Sequence, residues 1–342
     1  MMERVALGKT GLEVNRLGFG GIPIQRVGET QAIETVVHAV EKGVDFIDTA
    51  RGYTTSEHCI GMALKKTGKR VVLASKSHAR TADEILVDLD TSLKALQKDC
   101  IDLYQCHFVR DENEYIQIIS KGGALEALQR SKEEERIGHI GISTHSLNLA
   151  DRILDDGFFE TIMVCYSFLE PAAEEHIIPK ALSKGVGVIT MKPFSGGFIE
   201  NARLALKYTL SQPGTVVIPG VEQMDLFDED WQIFQGSYRL DEDEKRDIEK
   251  IRQSYDRRFC RRCDYCQPCS EGVPIQHVLG LPSMAKRVGI DFLRDGWRRE
   301  AIEKARNCSE CGECMTRCPY DLPIPELIKE NLRWVDREIG PL

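Results

Sequence analysis

Through residues 1–220, short apolar runs of β type alternate with longer amphipathic stretches. After a hairpin-like segment around Thr10-Gly11, the apolar runs span 16–20, 45–48, 71–76, 101–107, 139–143, 161–165, 187–191 and 215–219. Helical periodicity lies between them, including 29–42, 56–65, 82–96 and 124–136. Thr30 reads as the start signal of the first of these helices and Gly43 as its stop. Apolar runs separated by helices imply parallel strands buried on both faces and joined by right-handed crossovers. Eight such units in about this length predict a (β/α)₈ barrel. An open doubly wound sheet is the alternative, and it would often carry G-x-G-x-x-G after its first strand. Here that strand ends Gly18-Phe19-Gly20-Gly21-Ile22-Pro23, a poor match.

Residues 221–256 are rich in acid and end in a helical pattern over 241–254, expected to form outer helices closing the barrel. Beyond Arg257, cysteine, arginine and proline rise and long β-type runs stop. The sequence therefore divides near 256, with a barrel over 1–256 and a second, mainly helical domain over 257–342. Residues 256–342 hold 15 Lys and Arg against 14 Asp and Glu, so the chain's net charge of −9 falls on the barrel part. An acidic body does not suggest nucleic acid as a partner. No stretch approaches the ~20 apolar residues of a membrane span. The N-terminal MMERVALGKTG has no apolar run after its charges, so no signal peptide is expected and the cytoplasm is the expected location. Disulfides are rare there, so the twelve cysteines call for another explanation.

Eight of them form two runs. Cys260, Cys263, Cys266 and Cys269 read C-x₂-C-x₂-C-x₂-C; Cys308, Cys311, Cys314 and Cys318 read C-x₂-C-x₂-C-x₃-C, followed by Pro319. A four-iron cube needs four thiolates. Three cysteines at steps of three can wrap one cube and a remote cysteine completes the set, so two [4Fe-4S] clusters are expected. Zinc is the competing reading, but four cysteines per run exceed what one zinc knuckle uses. Cys59, Cys100, Cys106 and Cys165 are scattered, and are expected to be small buried hydrophobes.

Polar residues at the C-terminal ends of the barrel strands carry the remaining chemistry. The second run ends in Asp48, with Tyr53 five residues on; the third ends in Lys76 and the fourth in His107. Together they suit carbonyl reduction. A free tyrosine, with a pKa of ~10, gives up its proton too reluctantly near neutrality. An adjacent Lys76 ammonium favours the phenolate, Asp48 keeps that lysine charged and in place, and His107 orients the carbonyl oxygen.

The segments F46-I-D-T-A50-R-G-Y53, A74-S-K76 and D102-L-Y-Q-C-H107 resemble the aldo-keto reductase family. So do L7-G-K-T-G-L12 and R16-L-G-F-G-G21, and the likeness covers about residues 3–255. The resemblance implies Tyr53 as general acid, with Lys76, Asp48 and His107 in the roles above. It also implies NAD or NADP bound across the barrel mouth. Gly21 and Ile22 would lie along that cofactor, Ser143 and Thr144 at its carboxamide, and Tyr166 near the nicotinamide face. Lys192, Pro193, Phe194, Ser195 and Gly197 would follow the pyrophosphate, and Ile218, Pro219 and Gly220 the adenosine end. Family members that prefer NADP carry a basic residue just after the eighth strand. This chain reads G220-V-E-Q-M-D there, and such acids repel a 2′-phosphate, which argues for NAD.

The tail resembles the dicluster ferredoxin-like extension of one branch of the family. Its long gap from Cys269 to Cys308, with a helical pattern over 292–306, is similar to the helical type of two-cluster ferredoxin domain. In that pattern the fourth cysteine of each run ligates the other cluster. This implies one set of Cys260, Cys263, Cys266 and Cys318, and another of Cys308, Cys311, Cys314 and Cys269. The first run departs from the pattern, with x₂ before Cys269 and Ser270 where proline often follows.

Two functional classes follow. One is an oxidoreductase acting on a small carbonyl compound or its alcohol, with the clusters serving electron transfer or structure. The other is an electron-transfer or redox-sensing protein that uses the barrel as a binding platform. Arg257, Arg258, Arg261 and Arg262 flank the first cysteine run and could dock an acidic redox partner or simply balance nearby acids. Hydride transfer moves two electrons at once and a cluster one, and no flavin motif links them. Substrate choice is expected in loops 22–28, 108–123 and 221–237, with Phe108, Tyr115 and Trp231 as aromatic candidates.

Overall fold

A computed structural model describes residues 3–262 and 265–340, apart from the side chains of 287 and 288. A hairpin of β1 (Arg4–Ala6) and β2 (Glu13–Asn15) precedes eight parallel strands. These are β3 (Phe19–Gly20), β4 (Phe46–Asp48), β5 (Val72–Ser77), β6 (Ile101–Val109), β7 (Ile137–Thr144), β8 (Thr161–Cys165), β9 (Gly187–Met191) and β10 (Thr215–Ile218). Their order in the sheet follows the chain. The first and last strands join: Val217 N–H donates to Arg16 O (2.7 Å), and Gly18 N–H to Val217 O (2.9 Å). A barrel thus closes from the eight expected runs. Gly20 explains part of the glycine-rich first strand, because a Cβ there would lie 2.6 Å from Pro219 O across this seam.

Strand periodicity sorts the side chains. Phe46, Ala74, Leu103, Met163, Ile189, Val216 and Ile218 fill the barrel interior with Leu7 and Val14 of the hairpin segment. Their neighbours Ile47, Leu73, Tyr104, Ile162, Val188 and Val217 turn outward into the larger core beneath the helices. Two residues further along, the inward position becomes polar: Asp48 after Phe46, Lys76 after Ala74, Gln105 after Leu103. The interior is therefore apolar at one end and polar at the end where the strands finish.

The helices follow the expected periodicity with local differences. Glu29–Lys42 buries Ala32, Val36, Ala39 and Val40 and stops at Gly43, whose φ of 118° suits only glycine. Its start differs from expectation: Gly28 occupies the cap position and Thr30 lies in the first turn. Ala124–Glu133 ends earlier than the pattern suggested, because Glu135 turns left-handed (φ 58°) to feed β7.

Contacts divide the chain into two compact units: Met1–Ser195 with Ile199–Leu240, and Gly196–Phe198 with Asp241–Leu342. The acidic helix Glu242–Tyr255, expected among the barrel's outer helices, clusters with the second unit. It starts at Asp241 through a capping box with Glu244. The second unit is helical. Ile324–Ile339 buries Ile324, Leu327, Ile328, Val335 and Ile339 along one stripe. These pack with Ile275, Val278, Leu281, Leu293 and Ile302 into a separate core. No described helix is long and apolar enough to cross a membrane.

Candidate functional site

The polar end of the barrel brings four of the expected residues together. Asp48 and Lys76 lie on neighbouring strands and are both buried. Lys76 Nζ donates to Asp48 Oδ2 (2.5 Å) and to Thr49 O (2.8 Å). The same Nζ stands 5.0 Å from the Tyr53 ring centroid. Tyr53 sits half-buried in the turn after β4, where its carbonyl accepts from Ser56 N–H (2.7 Å). Its ring meets His107 edge-on, with centroids 5.6 Å apart at 84°. Burial alone would lower the Lys76 pKa, but the Asp48 carboxylate and the Tyr53 hydroxyl outweigh it and the net direction is up. Burial raises the Asp48 carboxyl, while Lys76 and Gln105 act to lower it. The site therefore holds a charged lysine against the tyrosine.

His107 owes its place to an irregularity in β6. Pairing with β7 shifts between Cys106 and Val109, and Phe108 adopts φ 48° with its N–H donating to Ser143 Oγ (2.8 Å). Such a bulge re-aims a side chain. Burial, and then the positive charges of His78, Lys76, Arg80 and Lys192, hold the His107 pKa well below its ordinary range. The imidazole is thus neutral at neutral pH, and its Nδ1 is buried without a hydrogen-bond partner. Below pH ~6.5 the unfolded chain binds a proton at this position that the folded chain resists, so stability falls as pH drops. His107→Gln should flatten that acid-side loss in melting temperatures followed from about pH 7 to 5.5; parallel profiles for variant and wild type would contradict the assignment.

Three participants escaped the sequence reading. Gln105 is fully buried and its Nε2 donates to Asp48 Oδ1 (3.2 Å). A polar residue at the inward position between Leu103 and His107 was the available signal. His78 stacks on His107 with centroids 4.1 Å apart. Arg80 Nη2 donates to His107 O (2.9 Å) and pairs with Glu114 (2.9 Å). His78 and Arg80 lie in the loop after β5, beyond the strand-end positions that drew attention.

The residues expected along a cofactor are distributed around the same strand ends. Gly21 packs against the backbone of Asp48, to which its N–H donates (2.8 Å), and Ile22 opens the short turn Pro23–Arg26. Ser143 and Thr144 are buried at the end of β7, and Thr144 Oγ1 accepts from Ser146 N–H (3.0 Å). Tyr166 is buried, donates to Glu174 (2.5 Å) and tilts against Tyr208. Lys192 Nζ lies 3.2 Å from His145 Nε2, Pro193 is buried and Phe194 is half-buried. Ser195 is buried and its hydroxyl meets that of Ser167 at 2.7 Å. Lys192, Ser195 and Gly197 all have positive φ, at 59°, 50° and 95°. Ile218 is buried at the end of β10, and Gly220 pairs with Gly20 across the seam. Just beyond, Glu222 forms an ion pair with Arg26 (2.5 Å). Of the aromatic loop candidates, Tyr115 and Trp231 belong to the core, while Phe108 lies against His145 (4.3 Å).

In the second unit, Cys269, Cys308, Cys311 and Cys314 line one cavity together with Glu310 and Arg317. Cys269, set apart by its spacing, thus joins the second run. Burial pushes the Cys314 thiol pKa up, and the sulfurs of Cys308, Cys311 and Cys269 add to the rise. Four thiols so placed repel one another as thiolates; a positively charged metal core removes that conflict, so the donor set fits an iron–sulfur cluster. Among the described residues no three His, Cys, Asp or Glu groups converge tightly enough to hold a single ion. Cys260, Cys266 and Cys318 pack with the same apolar cluster as Cys269 and Cys308. Cys263 lies outside the described residues.

The four flanking arginines have partners within the unit: Arg257 bonds Asp321 O (3.2 Å), Arg258 pairs with Glu330 (2.5 Å), Arg261 covers the Tyr320 ring (4.1 Å) and Arg262 lies 5.8 Å from the Phe259 ring. Of the scattered cysteines, Cys59, Cys106 and Cys165 are buried as expected, but Cys100 is exposed.

A closed barrel with a buried lysine–aspartate pair, a tyrosine and a neutral histidine at its polar end defines a barrel enzyme. The profile of the Aldo/keto reductase family matches residues 16–203, and that of the 4Fe-4S dicluster domain residues 259–323. This chain belongs to the aldo-keto reductase family of oxidoreductases and carries a C-terminal 4Fe-4S dicluster domain. It is 31% identical over 217 residues to L-galactose dehydrogenase of Arabidopsis thaliana, an alignment covering 58% of this chain and 67% of that protein. It is similar to the holo form of aldo-keto reductase AKR11C1 from Bacillus halodurans, with TM-score 0.64 and 25% identity over 73% of this chain and 96% of that one. An aldo-keto reductase from Klebsiella pneumoniae, solved with NADPH, shares the fold at TM-score 0.63 and 19% identity, over 73% of this chain and 95% of its own.

Proposed function

We propose that the barrel reduces a small carbonyl compound, or oxidises the corresponding alcohol, with a nicotinamide dinucleotide. The observation that carries this reading is the buried Lys76–Asp48 pair beside Tyr53, with neutral His107 against the tyrosine ring. When bound, the dinucleotide supplies the hydride that the carbonyl carbon receives. Tyr53 gives its hydroxyl proton to the carbonyl oxygen as charge develops there. Lys76 stabilises the tyrosinate left behind and Asp48 keeps Lys76 charged and in place. Neutral His107 offers a hydrogen bond to the same oxygen without adding a cation beside Lys76. In the alcohol direction the same groups work in reverse, with the tyrosinate as base. Anaerobically purified protein assayed against a panel of carbonyl compounds should consume NADH or NADPH with at least one of them. No cofactor-dependent turnover with any, at full iron content, would overturn the proposal.

NAD is favoured over NADP, although the Klebsiella relative was solved with NADPH. Glu222, just past β10, presents a carboxylate where a 2′-phosphate would be repelled, and it engages Arg26. NADH should therefore bind at least about tenfold more tightly than NADPH in a fluorescence titration, and Glu222→Gln should narrow that ratio by releasing Arg26 towards the phosphate. Clearly tighter NADPH binding by the wild type would remove the case for NAD.

The second unit is proposed to hold two [4Fe-4S] clusters. Cys269, Cys308, Cys311 and Cys314 would ligate one, a set supported by their shared cavity. Cys260, Cys263, Cys266 and Cys318 would ligate the other, on the strength of the crossed ferredoxin pattern.

A further inference from the structure

Of the four residues gathered at the polar end of the barrel, Tyr53 alone lies outside a strand. Asp48, Lys76 and His107 sit on β4, β5 and β6, whereas Tyr53 occupies the turn between β4 and the helix Ser56–Thr67. Its own backbone bonds are local: its N–H donates to Ala50 O (3.0 Å) and its carbonyl accepts from Ser56 N–H (2.7 Å). The next residue, Thr54, has φ 36°, a left-handed backbone that persists at a non-glycine residue only when its surroundings hold it.

Glu57 ties this turn to the strand that carries Lys76. It lies in the first turn of the helix, 1% exposed, four residues after Tyr53. Its Oε1 accepts from Ser75 Oγ (2.6 Å), and its Oε2 pairs with Arg51 Nη1. Ser75 is on β5 immediately before Lys76, and Arg51 N–H donates to Lys76 O (2.9 Å). One buried carboxylate thus joins the chain before the tyrosine, the chain after it and the strand beside it. The Arg51–Glu57 pair closes the turn into a ring, and β5 holds that ring at two successive residues. Ser56 adds a further tie: its hydroxyl donates to Gly21 O (2.8 Å) and meets Thr49 Oγ1 at 2.8 Å.

A buried ion pair is weak evidence of stability, because desolvating both charges offsets much of their attraction and apolar residues of similar volume often serve as well. What a carboxylate with charge-assisted bonds supplies is direction, since its partners must meet it in a fixed geometry. Chemistry at Tyr53 needs such a constraint, because a displacement of about 1 Å can cost ~10²-fold in rate. Glu57 bonds Ser75 and Arg51 rather than Lys76 or Tyr53, so its influence reaches the site through the turn.

We infer that Glu57 is a positioning residue for the proposed reduction: through Arg51 and Ser75 it holds the Tyr53 turn on β5 and so sets the placement of the tyrosine hydroxyl against Lys76. The inference rests on the assignment of Tyr53 as proton donor.

The test uses the full-length, cluster-loaded protein carrying Glu57→Gln, Tyr53→Phe or both. Single-turnover reduction is followed with saturating NADH and a carbonyl compound that the wild type reduces, and NADH affinity is titrated alongside. Glu57→Gln should slow the chemical step by about 10–10²-fold and leave NADH affinity nearly unchanged. In the Tyr53→Phe background the same substitution should slow it no further, because no hydroxyl remains to be positioned. An unchanged rate in Glu57→Gln would overturn the inference. So would an equal loss in both backgrounds, which is what a general loosening of the barrel produces. Should Glu57→Gln fail to fold, Ser75→Ala, which removes one uncharged partner, decides by the same criteria with a loss of about threefold. A wild type that reduces no carbonyl compound, or a Tyr53→Phe protein that matches it, would instead overturn the reduction reading, and this inference with it.

Discussion

Tyr53→Phe should lower kcat for carbonyl reduction by about 10²–10⁴-fold while leaving the affinity for the nicotinamide dinucleotide nearly unchanged. The substitution removes one oxygen and keeps the ring that meets His107 edge-on. Packing is preserved, and what disappears is the proton donor together with the partner of the Lys76 ammonium. Losing the proton donor alone accounts for the size of the effect, since a positioned general acid contributes on this scale. Lys76→Met should act in the same direction and add a structural penalty. It strands the Asp48 carboxylate, buried and left with Gln105 as its remaining side-chain partner. The measurement is single-turnover kinetics with saturating cofactor, which separates the chemical step from binding. A Tyr53→Phe enzyme that turns over at the wild-type rate would remove the tyrosine from the mechanism and favour the barrel as a binding platform.

Losing Cys269 should cost about half of the bound iron, a larger change than its spacing suggests. Cys269 is remote in sequence from Cys308, Cys311 and Cys314 but lines their cavity. Cys269→Ser should therefore deplete the cluster of the second run. Combining it with Cys311→Ser should remove no further iron, because both serve one cluster. Combining it with Cys266→Ser should remove nearly all of it, because those two serve different clusters. This non-additivity separates crossed ligation from ligation within each run. Iron content and the visible absorption of anaerobically purified protein provide the readout. If Cys269→Ser with Cys266→Ser loses no more than either alone, the crossed assignment fails. Cys318→Ser extends the test to the other set, whose Cys263 member lies outside the described residues.

Local repetition made much of this molecule readable. Strand and helix periods of two and 3.6 are properties of neighbouring residues, so the eight runs and their intervening helices could be located without knowing what they pack against. Asp48, Lys76 and His107 stood out because each ends such a run, and the cysteine runs because their spacing is itself the shape of a ligand loop. Local signals failed where a long-range contact took precedence. Thr30 resembles a helix cap, but the turn before it brings Gly28 to that position. Tyr115 and Trp231 look like loop aromatics, but their helices turn them into the core.

The sequence by itself determined the strand count, the polar strand ends at Asp48, Lys76 and His107, and the thiol pattern, because each is written in residues a few positions apart. Only the tertiary structure decided which of them meet. Closing the sheet set the stagger that brings Lys76 onto Asp48 and Gln105 beneath it. Burial among positive groups, a property of the assembled barrel mouth, made His107 neutral. Chain folding brought Cys269 to the second run, and gave Gly196–Phe198 to the iron–sulfur unit. The reason is common to all four. Electrostatics, hydrogen bonding and ligation depend on distances of a few ångströms between residues separated by tens of positions, and no local pattern encodes those distances.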